Sequence, residues 1–292
     1  MKIAVYARQL NDNVLPYVEE LFKQIDKSDA ECVVYEPFLN FVKQKSGLNF
    51  NYDSFTGSEE IKGNIDFLFS VGGDGTILDT ISLVQDSQIP VMGVNTGRLG
   101  FLSSISKYQI HEAVESLLKG HYSLDKRTML RLETNRSLFG EVNYALNELT
   151  IHKKDSSSMI IIHAYLNGEY LNSYWADGLI IATPTGSTGY SLSCGGPIMM
   201  PTSENFVITP IAPHNLNVRP IIVSDKNVIS LEVEGRSQYF LASLDSRSVT
   251  IDSSIQLAVR KEDFPMNLIR LDNENFMGTL RNKLNWGLDA RN

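Results

Sequence analysis

Short apolar runs alternate with helix-spaced segments through the first hundred residues, and then the alternation stops. "KIAVYA", "CVVYE", "DFLFSV" and "IPVMGVN" read as strands, while "LPYVEELFKQI", "FLNFVKQK" and "TILDTISLV" carry apolar residues at helical spacing between them. Parallel strands need a crossover to rejoin the sheet, so this order predicts right-handed βαβ units around a parallel sheet, a Rossmann-like α/β fold. "SGLNFNYDSFTGSEE" (46–60) interrupts the pattern as a polar loop. A further helix-spaced stretch covers about 107–119. Beyond it come "MLRLET", "YALNELTIH", "MIIIHAYL", "LIIATP", "FVITPIA" and several later β-branched runs, separated by turn signals such as "LNGEY" and "VEGRS". That half is expected to be mostly β, a sandwich or layered sheets. The tail "NFMGTLRNKLNWGL" regains helical spacing. The expected organisation is therefore an α/β domain over 1–120, a β domain over 121–264 and a tail over 265–292 that packs back on the first domain.

Charge and cysteine content narrow the function classes. The net charge of -8, without a Lys/Arg cluster, argues against nucleic acid or an anionic membrane as partner. Cys32 and Cys194 are far apart and lack CxxC spacing, so each reads as a small buried hydrophobe rather than part of a disulfide framework or zinc site. "MKIAVYAR" is too short for a signal peptide, and no run approaches the roughly 18 apolar residues of a membrane span. The expected location is the cytoplasm.

"FLFSVGGDGTILDTI" (67–81) is a strand that stops at Gly72-Gly73-Asp74-Gly75 and becomes a helix. Such a joint offers free backbone N–H groups and a positive dipole end, which suit a phosphate. Two better-known phosphate loops are excluded: position 78 of the would-be GxGxxG is Leu, and the chain has no Gly-Lys dipeptide for a Walker A loop. Asp74 stands where a hydroxyl substrate would meet a polyphosphate, and a carboxylate there can accept the hydroxyl proton. A turn aspartate bonding its own backbone is the alternative. Thr76 and Asp79 have capping-box spacing, so Asp79 reads as a helix cap.

"DGLIIATPTGSTGYSLSCGGP" (177–197) supplies a second loop, rich in hydroxyls and glycines, and no Lys or Arg lies between 155 and 218. A phosphate here would be held by neutral donors or its own metal; sugar hydroxyls and bases suit the loop equally. The GxSxG elbow is not met around Ser187 or Ser191, and "SISK" lacks the SDN and KTG partners of a serine acyltransferase. Asn147 and Glu148 are consecutive in a strand, so their side chains face opposite ways unless a bulge or strand end intervenes. Asp177 and Asp245 end apolar runs, "HKKD" reads as a charged hairpin rim, and five scattered histidines lack metal-ligand spacing.

Taken in order, "GGDGT", "GVNTGRLGFL", "LNELTI", "DGLIIATPTGSTGYSLSCGGP", "PHNLNVRPIIV", "LDS" and "TLRNKLNWG" resemble the NAD kinase family. The resemblance implies an N-terminal α/β domain and a C-terminal β domain with the site between them, usually in homodimers or homotetramers. It implies ATP and NAD as substrates, with Mg²⁺ or another divalent cation accompanying ATP and no protein metal ligands. Asp74 would accept the proton of the adenosine ribose 2′-hydroxyl, with Gly75 beside it. Asn147 and Glu148 would hold adenine and ribose. Thr188, Gly189, Tyr190, Ser191, Leu192 and Ser193, with Asp177, Ala212 and Arg247, would line the dinucleotide site. Gly189 departs from the family's usual Ala, and Arg247 from a frequent Gln, so Arg247 either contacts the ligand or reaches solvent. Asp79 departs from a position often small or basic, which weakens any phosphate cation in the first helix turn. A GGDGT-type lipid or small-molecule kinase and a non-catalytic dinucleotide-binding regulator are the alternative readings.

Overall fold

The computed structural model describes residues 1–8, 11–46, 51–97, 99–154, 159–271 and 275–285. The chain divides into two compact units, Met1–Lys126 with Asn267–Asn292, and Arg127–Met266. In chain order the first unit contains β1 (Lys2–Tyr6), α1 (Leu15–Asp26), β2 (Glu31–Tyr35), α2 (Glu36–Ser46), β3 (Asp53–Phe55), α3 (Ser58–Ile61), β4 (Phe67–Gly72) and α4 (Asp74–Val84). It continues with β5 (Val91–Asn95), β6 (Ile105–Ser106), α5 (Ile110–Leu118) and β7 (Ser123–Arg127). The second unit runs through β8 (Leu130–Thr134), β9 (Tyr144–Ala145), β10 (Glu148–Lys153), β11 (Ile160–Leu166), β12 (Glu169–Ala176), β13 (Gly178–Ala182), α6 (Tyr190–Ser193) and β14 (Asn205–Ile211). It ends with β15 (Ile221–Ser224), β16 (Ile229–Gly235), β17 (Phe240–Leu244), β18 (Arg247–Ile251) and β19 (Leu257–Lys261). The chain then returns to the first unit through β20 (Met266–Arg270) and α7 (Phe276–Leu284).

The first unit is the expected α/β fold. Its sheet has the order β3-β2-β1-β4-β5-β20-β7, with β6 beside β5. Pairs β1–β2, β1–β4 and β4–β5 are all parallel. Helices cover both faces of such a sheet, so β4 and β5 are buried almost throughout rather than alternating. Helix α1 tolerates Pro16 in its first turn, where the missing N–H has no intrahelical partner. Its Val18, Leu21, Phe22 and Ile25 form one buried stripe, matched by Ile110, Ala113, Val114 and Leu117 of α5. Each fully buried side chain of this size contributes about 1.5–3 kcal/mol.

The segment expected as a polar loop over 46–60 is corrected where it is described. Residues 53–55 pair with β2 as a parallel edge strand and bury Phe55, and α3 follows; residues 47–50 lie outside the described residues. A three-residue strand stabilised by its neighbour has no periodicity of its own to read.

The second unit is a sandwich of two six-stranded antiparallel sheets, β15-β14-β13-β10-β17-β18 and β12-β11-β16-β19-β8-β9. Alternate residues face the shared core, among them Leu149 and Ile151, Ile160 and Ile162, Leu179 and Ile181, and Phe240 and Ala242. "LNGEY" makes a two-residue hairpin turn with φ of +53° at Asn167 and +84° at Gly168, the left-handed pair that Asn-Gly favours. The opposite face of β13 and β14 offers Ile180, Ala182, Val207 and Ile211, and it is covered by Met199 and Cys194 from the segment that follows β13. The hydroxyl-rich loop is thereby folded down onto the sheet. Among the described residues no helix is long and apolar enough to cross a membrane.

Candidate active site

In the first unit, the glycine joint is built by steric necessity. A Cβ on Gly72 would lie 2.1 Å from Thr76 Oγ1, so the chain can turn from β4 into α4 only without a side chain there. Gly73 and Gly75 are exposed, with no atom within 4 Å of where a Cβ would stand. Helix α4 begins at Asp74 with Gly73 as its uncapped N-cap residue. The expected capping role of Asp79 is therefore corrected. Asp79 instead pairs with the Arg8 guanidinium and accepts from the Tyr6 hydroxyl at 3.4 Å. Tyr6 lies opposite Ser70 in the sheet register, so the pair sets a largely exposed cation just past the carboxyl end of β1, against α4.

The half-buried Asp74 carboxylate is held by another loop of the same unit. Oδ1 accepts from Leu102 N at 3.0 Å and Ser103 N at 2.9 Å, and Oδ2 accepts from Phe101 N at 2.8 Å. Gly100 makes the approach possible, since a Cβ there would fall 1.7 Å from Asp74 Oδ1. An ionised carboxylate has about four acceptor positions, so three filled positions leave one, on Oδ2. Asp74 does not bond its own turn in this way. Among the described residues it is a held acceptor with one lone pair unfilled, flanked by two open glycines.

In the second unit a further aspartate builds a parallel device. Asp245 occupies the two-residue turn between β17 and β18 with φ of +51°. Its Oδ2 accepts from Leu146 N at 2.9 Å and its Oδ1 from Asn147 N at 2.8 Å and Glu148 N at 3.1 Å. Burial pushes the Asp245 carboxyl up from its ordinary value, opposed by those three N–H groups and by Arg247. The clamp sets the segment entering β10, and Asn147 sits in a bend just before the strand rather than within it. That strand end lets consecutive side chains converge: a Cβ on Gly189 would stand 3.3 Å from Glu148 Oε2 and 3.8 Å from Asn147 Nδ2.

The hydroxyl-rich loop packs against the same bend. Thr183 N donates to Asn147 O at 2.9 Å and Thr183 Oγ1 to Leu146 O at 2.5 Å, while a Cβ on Gly186 would lie 2.1 Å from Asn147 O. Thr188 and Gly189 are half-buried, Leu192 is half-buried, and Tyr190 and Ser193 are exposed. The Tyr190 hydroxyl is pushed up first by partial burial, then by Cys194, Asp177 and Glu148, so these groups share one neighbourhood. Asp177 lies at the other end of β13 and pairs with Lys153 at 2.6 Å. Within "HKKD", Lys153 is thus tied to Asp177, while residue 155 lies outside the described residues. Ala212, exposed at φ +44°, follows Ile211, whose carbonyl accepts from Asp177 N at 3.0 Å.

Two expected residues point elsewhere. Ser191 is fully buried, its hydroxyl exchanged with Thr209 Oγ1 at 2.8 Å because the short α6 turns it toward β14. Arg247 is half-buried and is held by the protein rather than extended into solvent. Its guanidinium donates to the carbonyls of Val142 and Tyr144 and lies 6.0 Å from the Phe139 ring centroid, and burial lowers its affinity for its proton. Cys194 and Cys32 are half-buried rather than fully buried, and both are free; burial pushes the Cys32 thiol up to about 12.

Glu148 is a strongly perturbed acid of this neighbourhood. Burial, and then the charge of Asp245, push its carboxyl from 4.5 up to about 8, and its Oε2 is buried without a partner. The folded chain therefore holds a proton that the unfolded chain releases, so the contribution to stability is full below 4.5 and declines as pH rises through about 8. Glu148→Gln removes this decline. Its melting temperature relative to the parent should rise between pH 5 and pH 9, and a difference independent of pH would show that the carboxyl does not titrate in this range.

A carboxylate with one free acceptor position among open glycines, in a chain that also carries an acid, amide and hydroxyl cluster on a β sandwich, defines a protein suited to a phosphorylated, hydroxyl-bearing ligand. Residues 3–122 match the family model described as the ATP-NAD kinase N-terminal domain, and residues 146–271 match that of the ATP-NAD kinase C-terminal domain. The NAD kinase of Cytophaga hutchinsonii is 49% identical over 293 residues, spanning all of both chains. That of Flavobacterium johnsoniae is 44% identical over 294 residues, again spanning both completely. Among solved structures, yeast NADH kinase complexed with NADH superposes with a TM-score of 0.88 at 22% identity, covering 99% of this chain and 88% of that one, a likeness of fold. An NAD kinase from Archaeoglobus fulgidus in complex with ATP has a TM-score of 0.72 at 26% identity, covering 98% of each chain. This chain belongs to the NAD kinase family.

Sequence reasoning missed the donors at 101–103, the Arg8–Asp79 pair and Lys153. "GVNTGRLGFL" and "LDS" were visible as motifs, but nothing local says that their role is to hold a carboxylate, or to be held by one.

Proposed function

We propose that this chain is a kinase that transfers the γ-phosphoryl group of Mg-ATP to the 2′-hydroxyl of the adenosine ribose of NAD, giving NADP and ADP. The observation that carries this reading is the Asp74 carboxylate, oriented by three backbone donors with one acceptor position left, in a chain 40–49% identical to proteins named NAD kinase. In this reading the 2′-hydroxyl gives its proton to Asp74 Oδ2 as the oxygen attacks Pγ. The new O–Pγ bond forms while the bond from Pγ to the β-phosphate oxygen breaks, and ADP leaves with that electron pair. Little covalent chemistry falls to the protein, so positioning and charge neutralisation dominate.

The divalent cation arrives as part of the substrate, on the ATP phosphates. Arg8, tethered by Asp79, supplies the fixed cation that the first turn of α4 lacks. Asn147, Glu148, Gly189 and Tyr190, with Asp177, hold the adenosine and ribose. Glu148 is well suited to a ribose diol, because a protonated carboxyl donates one hydrogen bond and accepts another. Thr188, Leu192, Ser193 and Ala212 complete the lining. The reading extends to a cytosolic homodimer or homotetramer, which rests on family resemblance and is tested by light scattering of the purified chain.

Purified protein is incubated with Mg-ATP and NAD, and an NADP-dependent dehydrogenase reports product. NADP formation is the expected result. Binding of NAD without product favours the regulator reading, and phosphate transfer to diacylglycerol or a sphingoid base, with none to NAD, favours a lipid kinase.

A further inference from the structure

The donors that hold Asp74 are not anchored alike. Leu102 and Ser103 belong to the core of the first unit, with relative exposures of 6% and 0%. Ser103 Oγ donates to Gly72 O at 3.3 Å, its carbonyl accepts from Asn95 Nδ2 at 3.3 Å, and its Cα lies 2.9 Å from where a Cβ on Gly93 would stand. These contacts fix the two donors to Oδ1 through the sheet. Phe101, the donor to Oδ2, is half-buried, and its ring faces the C-terminal helix. The Phe276 ring centroid lies 6.3 Å from that of Phe101 at 41°, within the range of favourable aromatic pairs, and Lys283 Nζ stands 5.1 Å from the Phe101 centroid.

Helix α7 is seated through Leu280 and capped at its start. Leu280 is buried, and the Asn275 side chain caps the helix by accepting from Gly278 N at 2.7 Å. An open pocket of about 500 Å³ is lined in part by Leu99, Ser104, Asn275 and Thr279. Oδ2 is the oxygen with the unfilled acceptor position, and among the described residues its one donor is Phe101, whose ring packs on Phe276 of α7.

We propose that Phe276, assisted by Lys283, is a positioning residue for Asp74, acting through the ring of Phe101. The inference rests on the reading of Asp74 as the proton acceptor. Phe276 touches no reacting atom. It holds the Phe101 N–H on Oδ2 and so fixes the direction of the remaining lone pair, and small misplacements of a reacting group are costly in rate.

Phe276→Ala is expected to lower kcat for NAD phosphorylation about tenfold, with KM for NAD and ATP within about twofold, and Phe276→Tyr is expected to restore most of the rate. Residue-resolved amide exchange reads the same contact without turnover: exchange at Phe101 should quicken about tenfold while Ser103 stays unchanged. In an Asp74→Asn background Phe276→Ala should lower the residual rate no further. Wild-type kcat with unaltered Phe101 exchange overturns the inference, as does a fully multiplicative loss in the double variant. If Phe276→Ala melts too early to assay, Lys283→Met on the exposed face of α7 carries the test with about a threefold loss of kcat and faster Phe101 exchange. A wild-type chain that fails to phosphorylate NAD defeats the functional reading, whereas the exchange data alone decide whether α7 holds the loop.

Discussion

Asp74→Asn is expected to reduce NAD phosphorylation by about 10²–10⁴-fold, the range a positioned general base supplies. The substitution keeps the shape of the side chain, but it does not keep its hydrogen bonds. With Oδ1 retained toward Leu102 N and Ser103 N, the new amide group turns a donor toward Phe101 N–H, where Oδ2 had accepted at 2.8 Å. Two donors then face each other, at a cost of about 1–3 kcal/mol for a group left without a partner. The variant should therefore melt earlier as well as turn over more slowly. Its affinity for NAD, measured by titration, should stay within about tenfold, because the other proposed adenosine contacts, Asn147, Glu148 and Tyr190, are left intact. Turnover within threefold of the parent would remove Asp74 from the proton transfer, whatever happens to the melting temperature.

This double consequence was not legible in the sequence. The glycine joint was, because a strand that ends in glycines and turns helical is a local pattern, and the alternation over the first hundred residues gives the parallel sheet for the same reason. The clamp on Asp74 joins residues 27 to 29 positions apart, and that on Asp245 joins residues 97 to 99 apart. No periodicity records such separations. Thr76 and Asp79 illustrate the opposite error, in which a capping-box spacing exists but the helix starts three residues earlier, with Gly73 as its N-cap residue, and Asp79 pairs with a residue 71 positions away. Asn147 and Glu148 show a third case. Alternation in a strand separates their side chains, and only the bend imposed by Asp245 brings them together at Gly189. Ser191 looked like one more hydroxyl in a hydroxyl-rich loop, yet α6 spends it on Thr209. Motif composition located the neighbourhood of the candidate site, while hydrogen bonds between distant segments decide which members face a ligand.

Asp245→Ala should destabilise the second unit by about 3–5 kcal/mol. The substitution removes one acceptor group from three consecutive N–H donors. Leu146 is fully buried, so its N–H has no route to water, while Asn147 and Glu148 are half-buried and can recover part of their loss by hydration. The backbone adds a second cost, because Asp245 has φ of +51°, a conformation that Asp and Asn tolerate and Ala resists by about 1–2 kcal/mol. A series separates the two effects. Asp245→Gly restores backbone freedom but not the acceptor, so it should melt above Asp245→Ala and well below the parent. Asp245→Asn keeps one oxygen, able to serve Asn147 N and Glu148 N, and should lie between Gly and the parent. Since Asn147 and Glu148 are proposed to hold adenosine, NAD affinity in the folded variants should fall in the same order. A melting temperature for Asp245→Ala within about 2 °C of the parent would show that the clamp contributes nothing. Equal melting of the Ala and Gly variants would assign the whole loss to the three N–H groups and none to the turn.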